Sequence, residues 1–222
     1  MLVLAVDTAT TDLVTGLVNT DTGAATDRVI AGTRGHNETL VPTIIELLAE
    51  TNTEFAQLGA VVVGHGPGPF TGLRVGMATA QAIAQALGVP VHGVFTHDAI
   101  VLRLREQFPT AEELLVATDA RRKEIYYATY GVQAHRPDVI APEKLELGTV
   151  PDAIAIPDKL AERLPSDLQG IDHVELSPRA KDLVACADLT AAPTPLTPAY
   201  LRRPDAVPPP PLQAWTTLTR GQ

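Results

Sequence analysis

The sequence predicts an α/β protein of two related lobes. First, apolar runs of strand length alternate with segments of helical periodicity from residue 2 to residue 130. Second, one pattern occurs twice: an apolar strand, an aspartate, a short polar turn and a second strand. Its copies lie around Asp7 and around Asp119, which points to an internal duplication. Third, 222 residues, 45% hydrophobic and 19% charged, suit one large domain or two small lobes with a sizeable core.

Residues 2–6 and 13–18 read as strands flanking a polar turn, and a third strand is expected over residues 28–32. Leu40, Val41, Ile44, Ile45, Leu47 and Leu48 then form a helical stripe over residues 40–50, with Asn37 or Thr39 as its cap. Pro42 fits only if it lies near the first turn. Residues 59–64 are a buried strand, and the segment GHGPGPFTG that follows is a rigid, glycine-rich entry to a helix over residues 71–87. That entry has no Lys-Ser/Thr pair, and its glycines do not match the dinucleotide fingerprint. Residues 90–94 are a strand and residues 97–108 a third helix.

The second copy of the pattern covers residues 114–118 and 125–130, with a lobe boundary between about 93 and 110. The domain division is 1–100 for the first lobe, 101–200 for a degenerate second lobe, and 201–222 for a proline-rich tail that returns towards the first. A helix is expected over residues 178–189.

Composition narrows the function. A net charge of −9 argues against unaided binding to nucleic acid or an anionic membrane. The one cysteine, Cys186, excludes an internal disulfide and fits a reducing, cytoplasmic setting. The opening residues read as a strand, not a signal peptide, and no apolar run spans a bilayer. No His-Glu-x-x-His, cysteine pair or carboxylate pair stands out, so no metal and no catalytic group is expected.

Asp7, Thr8 and Thr10 occupy a strand-turn-strand unit of the kind that cradles a phosphate in an actin-like fold, and Asp119 sits in the second such unit. The local reading, in which each aspartate satisfies nearby backbone N–H groups, is preferred. Gly72, Gly76, Ala80 and Ala84 place small residues on one helix face. Either this face packs on the protein's own sheet or it receives a helix from another chain. With the surplus apolar surface of helix 40–50, the second choice puts Leu40, Ile44, Leu48, Gly72, Gly76 and Ala80 on a partner surface, with Arg74 free to pair with a partner carboxylate. On that choice Gly76→Leu blocks pairing and leaves the fold intact.

LAVDTAT, GHNETLVPTIIELLAE, VVVGHGPGPFTGLRVGMATAQAIAQALGVPVHGV, TDARRKEIYYATY and PAYLRR together resemble the TsaB (YeaZ) family, over most of residues 1–131 and in single motifs beyond. The resemblance implies the actin-like, sugar-kinase type of fold. It also implies a non-catalytic subunit in tRNA threonylcarbamoyladenosine synthesis, without a cofactor of its own. It would pair with a catalytic TsaD-type subunit, act with a TsaE-type ATPase, form homodimers when alone and meet tRNA only through the complex. The TsaD branch carries a metal-binding histidine pair, and here His97 matches the first position while Val101 stands at the second. The rival is a metal- or nucleotide-dependent protease or transferase active on its own.

Overall fold

The structure, a computed structural model, describes residues 1–33, 35–132 and 134–202. These residues form two five-stranded sheets. The first contains β1 (Leu2–Asp7), β2 (Leu13–Asn19), β3 (Ala25–Ile30), β4 (Leu58–Gly64) and β5 (Val91–Val94), in the order β3-β2-β1-β4-β5. The second contains β6 (Leu114–Asp119), β7 (Ile125–Tyr130), β8 (His135–Ile140), β9 (Ala153–Ala155) and β10 (His173–Val174), in the order β8-β7-β6-β9-β10. In each sheet the first strand pairs antiparallel with the second and parallel with the fourth. The repeated strand-Asp-turn-strand pattern is thus the visible part of a duplicated topology.

Among the described residues five α-helices accompany the sheets: α1 (His36–Glu50), α2 (Phe70–Leu87), α3 (Thr96–Gln107), α4 (Asp158–Ala161) and α5 (Ala180–Ala185). Because β1 is central, both of its faces are covered, and side chains alternate between two cores. Leu4 and Val6 pack with Leu40, Ile44 and Leu47 of α1 and with Leu73 and Ala80 of α2. Val3 and Ala5 pack with Ala99 of α3 and with Ala180 and Leu183 of α5. The second sheet repeats the scheme. Leu115 and Ala117 face Leu160 and Leu164, while Leu114 and Val116 face Ile100, Val101 and Leu104 of α3. Helix α3 therefore contributes to the cores of both sheets, and a boundary at residue 100 cuts through it.

Three expectations are corrected. The expected strand at 28–32 lies at Ala25–Ile30. Helix α1 begins at His36 with Gly35 as its cap, so Asn37 and Thr39 lie inside it and Pro42 is interior. Pro42 is exposed, and so is Glu38, whose carbonyl lacks the usual i+4 donor and is left to water. The helix expected over 178–189 is confined to Ala180–Ala185, and it lies on the first sheet, not the second. A Cβ on Gly16 of β2 would stand 2.5 Å from the Ala180 Cβ, so the glycine in the strand is what lets α5 approach. The chain then stays with the first lobe: Leu196 joins its core and the Ala199 N–H bonds to the His65 carbonyl at 2.8 Å. The proline run and the rest of the expected tail, from residue 203, fall outside the described residues.

Candidate functional site

The glycine-rich entry to α2 lies directly on the turn that follows β1. Asp7 ends β1 and is fully buried. Its Oδ1 accepts the Ala9 N–H at 2.8 Å, the Asx turn expected from the sequence, and its Oδ2 accepts the Thr96 hydroxyl at 2.7 Å. At Gly64, in the adjacent strand, a Cβ would sit 1.7 Å from Oδ2, so only glycine fits beside this carboxyl. Burial pushes the Asp7 carboxyl up to about 6, with the Thr96 and Ala9 bonds opposing the rise.

Thr8 organises the start of α2. Its hydroxyl donates to the Gly72 carbonyl at 2.7 Å and accepts the Gly76 N–H at 3.1 Å. These are the two groups that the helical i→i−4 ladder would otherwise join, so a side chain from β1's turn bridges a helix rung. Such contact requires α2 to come very close. A Cβ on Gly76 would lie 2.3 Å from Thr8 Oγ1, and one on Gly72 would lie 2.4 Å from the Thr8 carbonyl. The small-residue face is therefore filled by this chain's own turn and sheet. Thr8→Val is expected to lower stability by about 1 to 2 kcal/mol, since two bonds to one hydroxyl are lost. Urea unfolding of the variant checks this, and an unchanged midpoint would show that the bridge contributes nothing.

The second unit is arranged differently. Burial raises the Asp119 carboxyl, but the Lys159 ammonium at 3.0 Å and the Arg121 N–H at 2.7 Å outweigh that and hold it below its ordinary value. Helix α3 begins between the two units. Thr96 reaches Asp7, and the next residue, His97, sits 2.9 Å through Nε2 from the Thr118 hydroxyl. His97 is fully buried, its Nδ1 has no partner, and burial pushes the imidazole down to about 3. Val101, one turn on, packs against Leu114 and Val116. Among the described residues no three His, Cys, Asp or Glu side chains converge where they would hold a metal ion. Cys186 is half-buried, and desolvation with Asp98 and Asp182 nearby pushes its thiol up to about 12.

A cavity of about 270 Å³ lies above the first turn, lined by Thr8, Thr10, His36, Asn37, Thr71, Gly72 and Arg121 among others. Asp7 is not part of its wall, and the Thr10 hydroxyl is already bonded to the Asp12 backbone at 3.2 Å. The two loop aspartates thus hold their own folds together and present no free carboxylate to a bound phosphate or metal.

The residues of the expected partner surface lie at different depths. Leu40, Ile44, Leu48 and Ala80 lie in the first core, and Gly76 is buried under Thr8. Gly72 is half-buried and Arg74 is exposed. The apolar arc of α1 is indeed wider than one sheet covers, but the surplus sits one position further on, at Val41 (45% exposed) and Ile45 (53% exposed). Another cluster had no local signal. The Phe70 ring stacks on Tyr200 at 5.0 Å, the Arg74 guanidinium lies 4.0 Å above Phe70, and Arg74 Nε donates to the Tyr200 hydroxyl at 3.1 Å. PAYLRR is visible as a motif, but the contact spans 126 residues.

Known proteins resemble this chain in sequence and fold. The family model described as "TsaD: tRNA N6-adenosine threonylcarbamoyltransferase" matches residues 30–178. An uncharacterised protein of Mycobacterium leprae is 43% identical over 214 residues, 93% of this chain and 56% of that protein. The tRNA threonylcarbamoyladenosine biosynthesis protein TsaB of Escherichia coli is 33% identical over 130 residues, 59% of this chain and 55% of that protein. The chain thus spans little more than half the length of these two relatives. The solved structure of YeaZ from Pseudomonas aeruginosa superposes with a TM-score of 0.70 at 28% identity, covering 83% of this chain and 89% of that one. With the duplicated actin-like lobes and the motifs that carry the resemblance, these matches show that the chain belongs to the TsaD family, in its TsaB (YeaZ) branch.

Proposed function

We propose that the protein is a non-catalytic subunit in the synthesis of threonylcarbamoyladenosine in tRNA, pairing with a TsaD-type catalytic subunit and acting alongside a TsaE-type ATPase. The observation that carries the reading is the state of the two loop aspartates. Both are held by groups of their own chain, so the places where an actin-like fold would engage phosphate serve structure. Family membership and the pathway named for the E. coli relative supply the context.

The partner surface is the outward side of the α1–α2 pair, with Val41 and Ile45 at its centre, Gly72 partly accessible and Arg74 at its edge. Leu40, Ile44, Leu48, Gly76 and Ala80 support it from beneath. When the partner is missing, the same surface joins two copies of this chain. Contact with tRNA falls mainly to the partners.

The test is reconstitution of threonylcarbamoyl transfer to tRNA with and without this chain, alongside TsaD- and TsaE-type proteins. Activity that needs the chain, with the chain inert alone, is the expected result. Turnover of ATP or modification of tRNA by the chain alone would sink the reading. Val41→Glu with Ile45→Glu is expected to abolish co-elution with the TsaD-type subunit on size exclusion. Both positions are exposed, so stability should shift by no more than about 0.5 kcal/mol each. Co-elution that survives the double change places the interface elsewhere.

A further inference from the structure

We propose that the cleft between the first turn of α2 and the β6–β7 hairpin tip binds an RNA strand directly, with a base on its aromatic platform and phosphates on its arginines. The cleft, about 230 Å³, is lined by Phe70, Arg121, Arg122, Tyr126, Tyr200 and Arg202 among others. Arg74 extends the same patch through its contacts with Phe70 and Tyr200. The chain as a whole carries −9, yet Arg74, Arg121, Arg122 and Arg202 gather here, with Lys123 next along the hairpin tip and Asp119 and Glu124 as acidic neighbours. Local sign, not net charge, decides what a cleft attracts.

The backbone at the tip adds a second line. Arg121, Arg122 and Lys123 have φ of 64°, 51° and 65°, three successive left-handed residues without a glycine. Side-chain-bearing residues avoid this region, and runs of them persist only where the surroundings impose it, often at functional sites. Here the surroundings do impose it. The Ala120 N–H bonds to the Glu124 carbonyl and the Glu124 N–H to the Arg121 carbonyl, each at 3.0 Å. Asp119 accepts the Arg121 N–H, and Arg202 both bonds the Ala120 carbonyl at 3.2 Å and pairs with Glu124. The result is a fixed left-handed turn whose cations border the cleft.

Across from it, Phe70 and Tyr200 are each 37% exposed despite being stacked on one another. Half-exposed stacked rings beside guanidinium groups are the chemistry of single-stranded nucleic-acid contact: ring faces for bases, planar forks for phosphates. An acidic peptide would use the arginines but has no need of the rings. The proposed role in tRNA modification identifies the RNA, whereas the contact itself rests on the cleft alone.

The experiment is fluorescence anisotropy of a labelled tRNA anticodon stem-loop titrated with the full chain, repeated over a range of salt. Binding is expected at low salt. Arg121→Gln with Arg122→Gln should weaken it about tenfold or more and reduce the salt slope by about 1.4, or 0.7 for each charge lost. Tyr200→Ala should weaken it about fivefold with the slope unchanged. Arg105→Gln, at an exposed position on α3, should change nothing. Circular dichroism melts confirm that each variant is folded; should Tyr200→Ala melt early, the arginine pair and its slope decide. No binding by the parent chain, or equal binding by the arginine variant, overturns the proposal. Binding of ATP without RNA assigns the cleft to free nucleotide, and equal displacement by polyglutamate assigns it to an acidic peptide; either also overturns it. Reconstituted tRNA modification is read separately, so the pathway role and the RNA contact can fail independently.

Discussion

Gly76→Leu is expected to unfold the isolated chain at ordinary temperature, or to lower its stability by on the order of 3 to 5 kcal/mol. The first added carbon alone would lie 2.3 Å from Thr8 Oγ1, well inside van der Waals contact, and that hydroxyl is held in place by its bonds to the Gly72 carbonyl and the Gly76 N–H. Relief requires α2 to move off the β1 turn. That breaks the Thr8 bonds to Gly72 and Gly76 and loosens Leu73 and Ala80 from the first core. Overpacking of a well-fitted core typically costs about 1 to 3 kcal/mol, and the lost bonds add about 1 kcal/mol each. Ala78→Leu, on the exposed side of the same helix, is the control and should leave the midpoint unchanged. Urea unfolding followed by circular dichroism reads both. A folded Gly76→Leu variant with the parent's midpoint would mean that α2 can sit further from Thr8, and it would restore this face to the partner surface.

Local pattern carried β1 to β7 and four of the five described helices but not β8, β9, β10 or α4, which are short and proline-punctuated, and distance in sequence marks where it stops. The echo of Asp7 and Asp119 was legible because each unit lies within a few residues, and the two sheets confirm it with one topology. The stripe on α1 was legible as well. Which part of it the sheet would cover was not, because periodicity gives a direction and a width but no neighbour. Leu40 and Ile44 went inward while Val41 and Ile45, almost as apolar, stayed out. The glycines of α2 could be read as demanding close approach, but what approaches is Thr8, 64 and 68 residues away in sequence. Thr96 as the partner of Asp7, α5 on the first sheet, and Tyr200 on Phe70 are of the same kind. Each depends on how separate segments meet, and no single segment encodes it.

Asp7→Asn should change how stability varies with pH. In the folded chain burial raises the carboxyl to about 6, against 3.8 for the free side chain. A carboxyl raised on folding binds its proton more tightly in the native state. Its contribution is therefore fully favourable below about pH 4 and is lost as pH rises towards 6. A difference of this size corresponds to on the order of 2 to 3 kcal/mol. Asparagine keeps the shape, still accepts the Ala9 N–H through Oδ1, and can turn its amide N–H towards the Thr96 oxygen. It has no charge to desolvate. The buried His97, neutral in the folded chain, makes both proteins gain stability as pH rises towards 6.5, so the difference between them is what reads Asp7: it should move in the variant's favour between pH 4 and 7, and at pH 7.5 the variant should be the more stable of the two. Urea midpoints measured across that range decide it. A variant weaker than the parent at pH 7.5 would show that the fold needs the ionised carboxylate, and that the turn after β1 keeps the charge of a phosphate loop as well as its shape. Equal modification activity of the two proteins in the reconstituted complex would place Asp7 among the residues that hold the fold. Loss of activity in a stable variant would return it to the chemistry.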